Sequence, residues 1–88
     1  MKRRILFVIN PISGTKHKRS VPGDIEQYLD HNLFDYEIKY TEYAGHATEI
    51  AAQAAAQGVS VVCAVGGDGT VNEVARALVH TETALAII

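Results

Sequence analysis

The 88-residue sequence predicts an α/β domain in which helices cover both faces of a parallel sheet, a three-layer Rossmann-like arrangement. Short apolar runs alternate with amphipathic segments in the order βαβαβαβ, which is typical of parallel sheets with right-handed crossovers. Two of the runs are apolar along almost their whole length, as in strands buried on both faces. Turn-forming residues follow both of these strands.

The first half of the chain contains two predicted strands and one helix. The first strand covers residues 4–9 and ends at Asn10-Pro11. The helix begins near Ser20 or Pro22, because proline is tolerated in a first helical turn. The second strand covers residues 36–40, where apolar and charged residues alternate, so we expect one face to be less buried and the strand to lie at a sheet edge. The buried face of the helix is predicted to hold Ile25, Tyr28 and Leu29.

The second half continues the same alternation. An alanine-rich helix is predicted over residues 46–57, with Gly58 as its C-terminal cap. The third strand covers residues 59–65, and a third helix covers residues 71–80. The fourth strand, residues 84–88, is followed by no turn or polar tail. We therefore expect the domain to be truncated after this strand and the chain to be the first part of a longer protein. The predicted buried stripe of the third helix is Val71, Val74, Ala75, Leu78 and Val79.

Composition excludes several classes of protein. The longest strictly apolar runs have five residues, whereas a membrane-spanning helix needs about 20 and a signal peptide roughly 7–15. A single cysteine, Cys63, excludes a disulfide framework and a thiolate metal site. We therefore expect a cytoplasmic protein.

Charge is unevenly distributed, although the net charge is only −2. The first 23 residues contain six basic residues and no acidic one. The basic run at residues 16–19 either contacts phosphates or an anionic membrane surface, or forms an ordinary solvated loop. No aromatic residues lie among these bases, which argues against nucleic-acid binding.

The predicted topology indicates where a ligand would bind. In open α/β sheets, ligands bind at the carboxyl ends of the strands, near the strand pair where the winding reverses. Loops 10–14, 41–45 and 66–70 share this edge. If the strand order is 2-1-3-4, the reversal lies between the first and third strands, beside loops 10–14 and 66–70.

The loop Gly66-Gly67-Asp68-Gly69-Thr70 has the composition of a phosphate-binding turn. Glycines let backbone N–H groups approach an anion closely, and the following helix presents its positive N-terminal end. A carboxylate in such a turn would repel phosphate unless Mg²⁺ lies between them. Asp68 therefore indicates a metal-bound nucleotide, contacted directly or through water. A purely structural turn is the alternative, and neither a P-loop nor a standard dinucleotide fingerprint is present.

Other polar residues near this edge have two interpretations each. Thr70 and Glu73 fit a capping box at the start of the third helix, which is the favoured role for Glu73, while Thr70 can both cap and contact phosphate. Asn10 and Thr41, at the ends of the first two strands, either bridge loops or bind a ligand. His46 is interpreted as a helix N-terminal residue and not as a base.

Together, the three loops resemble the diacylglycerol kinase catalytic-domain family, which includes bacterial lipid kinases and the sphingosine and ceramide kinases. The resemblance rests on Asn10 to Gly14, on Thr41 with Gly45-His46-Ala47, and on Gly66 to Val74, in order and spacing. It implies ATP-dependent, Mg²⁺-assisted phosphorylation of a lipid hydroxyl, with Asp68 supporting the metal through water. The nucleotide contacts that it implies are Asn10, Pro11, Ile12, Ser13, Gly14, Thr41, Gly66, Gly67, Asp68, Gly69, Thr70, Val71, Asn72 and Glu73.

The resemblance also implies what residues 1–88 lack. The general base and the lipid contacts would come from a β-rich C-terminal domain, so we expect no catalytic residue and no kinase activity in this N-terminal part of the nucleotide-binding domain alone. The expected partners are ATP and a lipid at the inner membrane surface, and homodimerisation stays open. NAD kinases share the Gly-Gly-Asp-Gly-Thr element, so one alternative is an NAD kinase-like nucleotide kinase. A second alternative is a non-catalytic α/β nucleotide-binding module.

Overall fold

The computed structural model describes residues 2–11 and 21–88. The predicted site residues Ile12, Ser13 and Gly14, the basic run 16–19 and Ser20 lie outside this part of the chain. The predicted βαβαβαβ order is confirmed. The elements are β1 (Arg3–Ile9), α1 (Val21–Tyr28), β2 (Phe34–Tyr40), α2 (His46–Ala56), β3 (Val61–Val65), α3 (Asp68–Leu78) and β4 (Ala84–Ile87).

The four strands form one parallel sheet in the order β2-β1-β3-β4, which is the order considered conditionally from the sequence. β2 lies at one edge of the described sheet, and the winding reverses between β1 and β3. The pairing continues one residue beyond the strands. The Thr41 N–H donates to the Ile9 carbonyl at 2.9 Å, and the Asn10 N–H donates to the Val65 carbonyl at 3.0 Å. These two bonds fix Asn10 and Thr41 at the carboxyl edge.

Helices cover both faces of the sheet, which confirms the three-layer prediction. Successive strand side chains point to opposite faces, so Leu6 and Val8 pack with α2 and α3 on one face. Phe7 and Ile9 pack with Ile25 of α1 on the other face.

Cys63 is buried on the α1 side of the sheet. Burial raises the pKa of its thiol to about 11, so Cys63 is protonated at neutral pH and packs as a small apolar residue.

Two residues predicted to be buried are exposed. In α1, Ile25 is buried and Leu29 partly buried against the sheet, but Tyr28 is 76% exposed. Ile25 and Leu29 are four positions apart, on the same side of the helix, and pack on the sheet, whereas Tyr28 is outside the cluster that they form with it. Val79 is exposed because α3 ends at Leu78 and Val79 adopts an extended conformation (φ −57°, ψ 132°), outside the helical stripe. Ala77 packs against the core beside Leu78.

The start of α3 differs from the prediction. The helix begins at Asp68, three residues before the expected Val71, and Gly67 is its N-cap residue with an extended backbone. No side chain in the described part of the chain caps this end. The capping-box prediction for Thr70 and Glu73 is therefore wrong. Glycine can occupy an N-cap position without a side-chain bond. Because Gly67 takes this position, Thr70 and Glu73 both lie inside the helix.

The remaining boundaries agree closely with the predictions. α2 ends at Ala56, and Gly58 follows it with a left-handed backbone (φ +79°), as its predicted role at the helix C-terminus requires. None of the helices within residues 2–11 and 21–88 has the length and apolar character needed to cross a membrane.

Candidate functional site

A cavity of about 260 Å³ opens at the carboxyl edge of the sheet. Four predicted site residues meet there, contributed by the ends of β1 and β2 and by the first two turns of α3. The parallel topology brings them together, because every strand delivers its following loop to the same edge. The described lining consists of Asn10, Thr41, Glu42, Tyr43, Ala44, Ala47, Thr70 and Glu73.

Gly66 allows the end of β1 and the start of α3 to approach each other closely. The Asn10 side-chain amide donates to the Thr70 hydroxyl across this contact, with 3.4 Å between Nδ2 and Oγ1. A Cβ atom on Gly66 would lie 2.7 Å from Thr70 Oγ1, 2.9 Å from Thr70 Cβ and 3.3 Å from Asn10 Cβ. The first glycine of the turn is therefore required for packing, and this packing shapes the floor of the cavity.

The remaining residues of the turn, Gly67, Asp68 and Gly69, are exposed at the beginning of α3. The Val71 N–H donates to the Gly67 carbonyl at 3.2 Å. The first N–H groups of a helix have no partner within the helix, and the helix dipole is positive at this end. At Gly69, no atom of the described residues lies within 4 Å of the place a Cβ would occupy. This end of α3 has the donors and the open approach that an anion needs.

The donor set around Asp68 determines what kind of metal it could hold. Within residues 2–11 and 21–88, no three His, Cys, Asp or Glu side chains are grouped as metal ligands. Mg²⁺ in nucleotide sites is usually held by one or two carboxylates together with phosphates and waters. Asp68 at a helix N-terminus therefore fits a Mg²⁺ that arrives with a phosphorylated ligand, and the described residues do not form a metal site by themselves.

The contact between α2 and α3 fixes another wall of the cavity. The Thr48 hydroxyl of α2 donates to the Glu73 backbone carbonyl of α3, at 3.3 Å. Val74 and Ala51 lie in the core cluster that these two helices share. The half-buried Glu73 is thereby held at the cavity, where its carboxylate is a candidate hydrogen-bond acceptor.

The loop after β2 contributes residues that were not among the predicted site residues. Glu42, Tyr43 and Ala44 line the cavity beside Thr41. The Tyr43 ring stacks on the His46 ring, with 4.3 Å between centroids and 11° between planes. The sequence predicts that loop 41–45 lies at the carboxyl edge. This predicted position could have identified Tyr43 as a candidate site residue.

Two hydrogen bonds hold the stacked pair in place. The Tyr43 hydroxyl donates to the Glu49 carboxylate, and the Glu42 N–H donates to Nδ1 of His46 at 2.9 Å. The bond to Glu49 raises the pKa of Tyr43 above its ordinary value of 10.0, so the hydroxyl remains protonated at neutral pH. His46 is the first residue of α2, as predicted.

The predicted site residues thus fall into two groups. Asn10, Thr41, Thr70 and Glu73 line one cavity, with Gly66 packed beneath two of them. The others that the structure describes do not line it within residues 2–11 and 21–88. They lie along the adjoining edge of the sheet or in α3, and Val71 packs against the core. This second group is Pro11, Gly67, Asp68, Gly69, Val71 and Asn72.

Comparison with known proteins agrees with the resemblance noted in the sequence. The chain is 40% identical over 75 residues to a diacylglycerol kinase of Staphylococcus saprophyticus, which covers 84% of the chain and 24% of that relative. It is 32% identical over 76 residues to a diacylglycerol kinase of Bacillus subtilis, covering 86% of the chain and 25% of the relative. The chain therefore spans about a quarter of the length of these curated relatives.

A solved structure and a family model extend this similarity to nearly the whole chain. The crystal structure of a diacylglycerol kinase from Bacillus anthracis superimposes with a TM-score of 0.75 and 27% sequence identity, covering 98% of this chain and 32% of that one. The family model of the diacylglycerol kinase catalytic domain matches residues 4–88. The predicted resemblance is confirmed, and the chain belongs to the diacylglycerol kinase catalytic domain family.

Proposed function

We propose that the protein containing this chain is an ATP-dependent lipid kinase, which transfers a phosphoryl group from Mg-ATP to a lipid hydroxyl. Residues 1–88 supply the nucleotide-binding loops. The observation that carries this proposal is the convergence of Asn10, Thr41, Thr70 and Glu73 on one cavity beside the glycine-rich start of α3.

In this proposal, the start of α3 binds the phosphates. Backbone N–H groups at a helix N-terminus are oriented towards an anion, and the helix dipole favours negative charge there. The missing side chain of Gly69 leaves the approach to the backbone open among the described residues. Asn10 and Thr41 offer an amide and a hydroxyl to the rest of the nucleotide. Nucleotide contacts from Pro11, Ile12, Ser13 and Gly14 are proposed from the family resemblance alone.

Asp68 supports the metal ion in this arrangement. It lies at the end of α3 that would face the phosphates, where its carboxylate binds Mg²⁺ through water. When bound with the nucleotide, Mg²⁺ neutralises the charge that accumulates on the phosphates during transfer. Asp68 orients the metal, and the helix N-terminus orients the phosphates.

We propose that a β-rich C-terminal domain, outside residues 1–88, binds the acceptor lipid and supplies the general base. Phosphoryl transfer requires an acceptor that is aligned with the phosphate. Residues 1–88, the N-terminal part of the nucleotide-binding domain, are therefore expected to be inactive alone. We propose that the whole protein acts at the membrane surface, where its lipid acceptor lies.

A direct assay tests this proposal. The full protein is incubated with γ-labelled ATP, Mg²⁺ and vesicles that contain diacylglycerol, and the label is measured in the extracted lipid. The proposal requires Mg²⁺-dependent transfer of the label to the lipid. Label found on NAD, supplied in a parallel reaction, together with unlabelled lipid would establish the NAD kinase alternative instead.

Replacing Asp68 with alanine is expected to lower kcat/KM in this assay on the order of 10- to 100-fold, the range usual for residues that act on a metal through its outer shell. The Mg²⁺ concentration that gives half-maximal activity should also rise. Asp35→Ala is the matched control. Asp35 is an exposed aspartate near the amino end of β2, whereas the cavity lies at the carboxyl ends of the strands. Wild-type activity and Mg²⁺ dependence in Asp68→Ala would refute the metal role.

A further inference from the structure

Tyr43 is an exposed aromatic residue whose ring is held in one orientation. One face of the ring is stacked on His46, and its hydroxyl is bound to the Glu49 carboxylate. The residue is nevertheless 56% exposed, and it lines the cavity. Stacking on His46 occupies one face of the ring, so the other face can receive a second planar group.

The strand order places this ring at a suitable distance from the start of α3. Neighbouring strands in a sheet are about 4.8 Å apart, so the ends of β2 and β3, with β1 between them, lie about 10 Å apart. The phosphate-binding turn follows β3, Asn10 follows β1, and Tyr43 follows β2. A nucleotide extended along this edge, with its phosphates at α3, would place its base at the loop after β2.

We propose that Tyr43 is the platform on which the nucleobase stacks, with His46 supporting the ring from behind and Glu49 fixing its orientation. This inference rests on the proposed function. Aromatic rings bind nucleobases through their π-faces, and a ring that is already oriented loses little conformational freedom on binding. Ala44 and Ala47 line the cavity beside Tyr43 with small side chains, which leaves room for a flat ring.

Calorimetric titration of the full protein with two probes tests the platform. Mg-ATP carries a base, whereas Mg-tripolyphosphate carries only the phosphate chain. Tyr43→Ala is expected to weaken Mg-ATP binding about tenfold, as for the loss of one base-stacking contact. Its affinity for tripolyphosphate should stay within about twofold of wild type, because the start of α3 is unchanged. Tyr43→Phe, which keeps the aromatic face, should retain most of the ATP affinity.

Two further variants complete the test. Tyr28→Ala removes an exposed tyrosine of α1 that does not line this cavity, and it should bind both probes like wild type. Tyr43→Leu keeps an apolar side chain without a π-face, so the same selective loss of ATP affinity should appear even if Tyr43→Ala folds poorly.

The outcomes separate this inference from the proposed function. Equal ATP affinity in wild type and both Tyr43→Ala and Tyr43→Leu would overturn the platform while leaving the nucleotide site intact. A loss that is equal for ATP and tripolyphosphate would also overturn it, since it would indicate a structural role for Tyr43. Failure of wild type to bind either probe would contradict the proposed function itself.

Discussion

Replacing Gly66 with alanine is expected to destabilise the protein by about 1–3 kcal/mol, the usual cost of forcing an extra methyl group into a packed site. The same change should weaken Mg-ATP binding at least about tenfold. The new Cβ would lie 2.9 Å from Thr70 Cβ, and rotating the Thr70 side chain cannot relieve this contact because Cβ does not move on rotation. The start of α3 must therefore shift relative to the end of β3, and this part of α3 carries Thr70, which lines the cavity.

Gly69→Ala is the matched control for the predicted loss of stability. Gly69 lies within the first turn of α3, and no described residue has an atom within 4 Å of the place its Cβ would occupy. Alanine is favoured over glycine inside helices by about 0.5–1 kcal/mol, so Gly69→Ala should be as stable as wild type or slightly more so. Thermal unfolding of both variants provides the comparison of stability, and ATP titration compares Gly66→Ala with wild type. Gly66→Ala with wild-type stability and ATP affinity would contradict the packing role assigned to Gly66.

Ile9→Ala is expected to lower the free energy of unfolding by about 2–5 kcal/mol, the usual range for truncating a large buried aliphatic side chain. Ile9 is fully buried in the cluster between the sheet and α1. Its carbonyl also accepts the Thr41 N–H, so it joins β1 to the start of the β2 loop. A loss of this size is a large fraction of the roughly 5–15 kcal/mol that stabilises a typical domain.

An exposed leucine provides the comparison for Ile9. Leu33 precedes β2 and is 58% exposed, so Leu33→Ala should change the free energy of unfolding by less than about 1 kcal/mol. Denaturant titration of both variants measures the difference. If the two substitutions had equal effects, the core assigned to the α1 side of the sheet would be wrong.

The fold was predictable because its signals are repeated along the chain. The buried strands are continuous apolar runs, the helices have 3.6-residue periodicity, and the alternation of the two determines a parallel sheet. A parallel sheet then predicts that Asn10, Thr41 and Thr70 share one edge, as the structure shows, whereas the strand order 2-1-3-4 was only one possibility from the sequence. Periodicity could not give the width of the contact between a helix and the sheet, and for this reason Tyr28 was wrongly expected to be buried.

The details at the start of α3 were less predictable, because glycine can begin a helix without any side-chain pattern. Thr70 and Glu73 have the spacing of a capping box, but Gly67 occupies the N-cap position three residues earlier. As a result, Thr70 lies buried against Gly66 and accepts a hydrogen bond from the Asn10 amide, and Glu73 lines the cavity. The misplaced helix start changed the role of both residues from capping to lining the site.

The wall formed by Tyr43 depends on loop geometry that has no periodic signal. Gly45 adopts a left-handed conformation (φ +86°) between Tyr43 and His46, and the His46 N–H donates to the Tyr43 carbonyl at 3.1 Å. This turn brings the two rings into contact. A sequence pattern indicates that a loop is present at this edge, but the stacking of its side chains follows only from the backbone path.

A crystal structure of the full protein with Mg²⁺ and β,γ-imido-ATP would show directly where the nucleotide binds. We expect the triphosphate to lie against the start of α3, with Mg²⁺ on the side of Asp68. The rest of the nucleotide should extend past Asn10 towards the loop after β2. Binding of the nucleotide at another place on the protein, with the cavity lined by Asn10, Thr41 and Thr70 left open to solvent, would contradict the assignment of this edge as the nucleotide site.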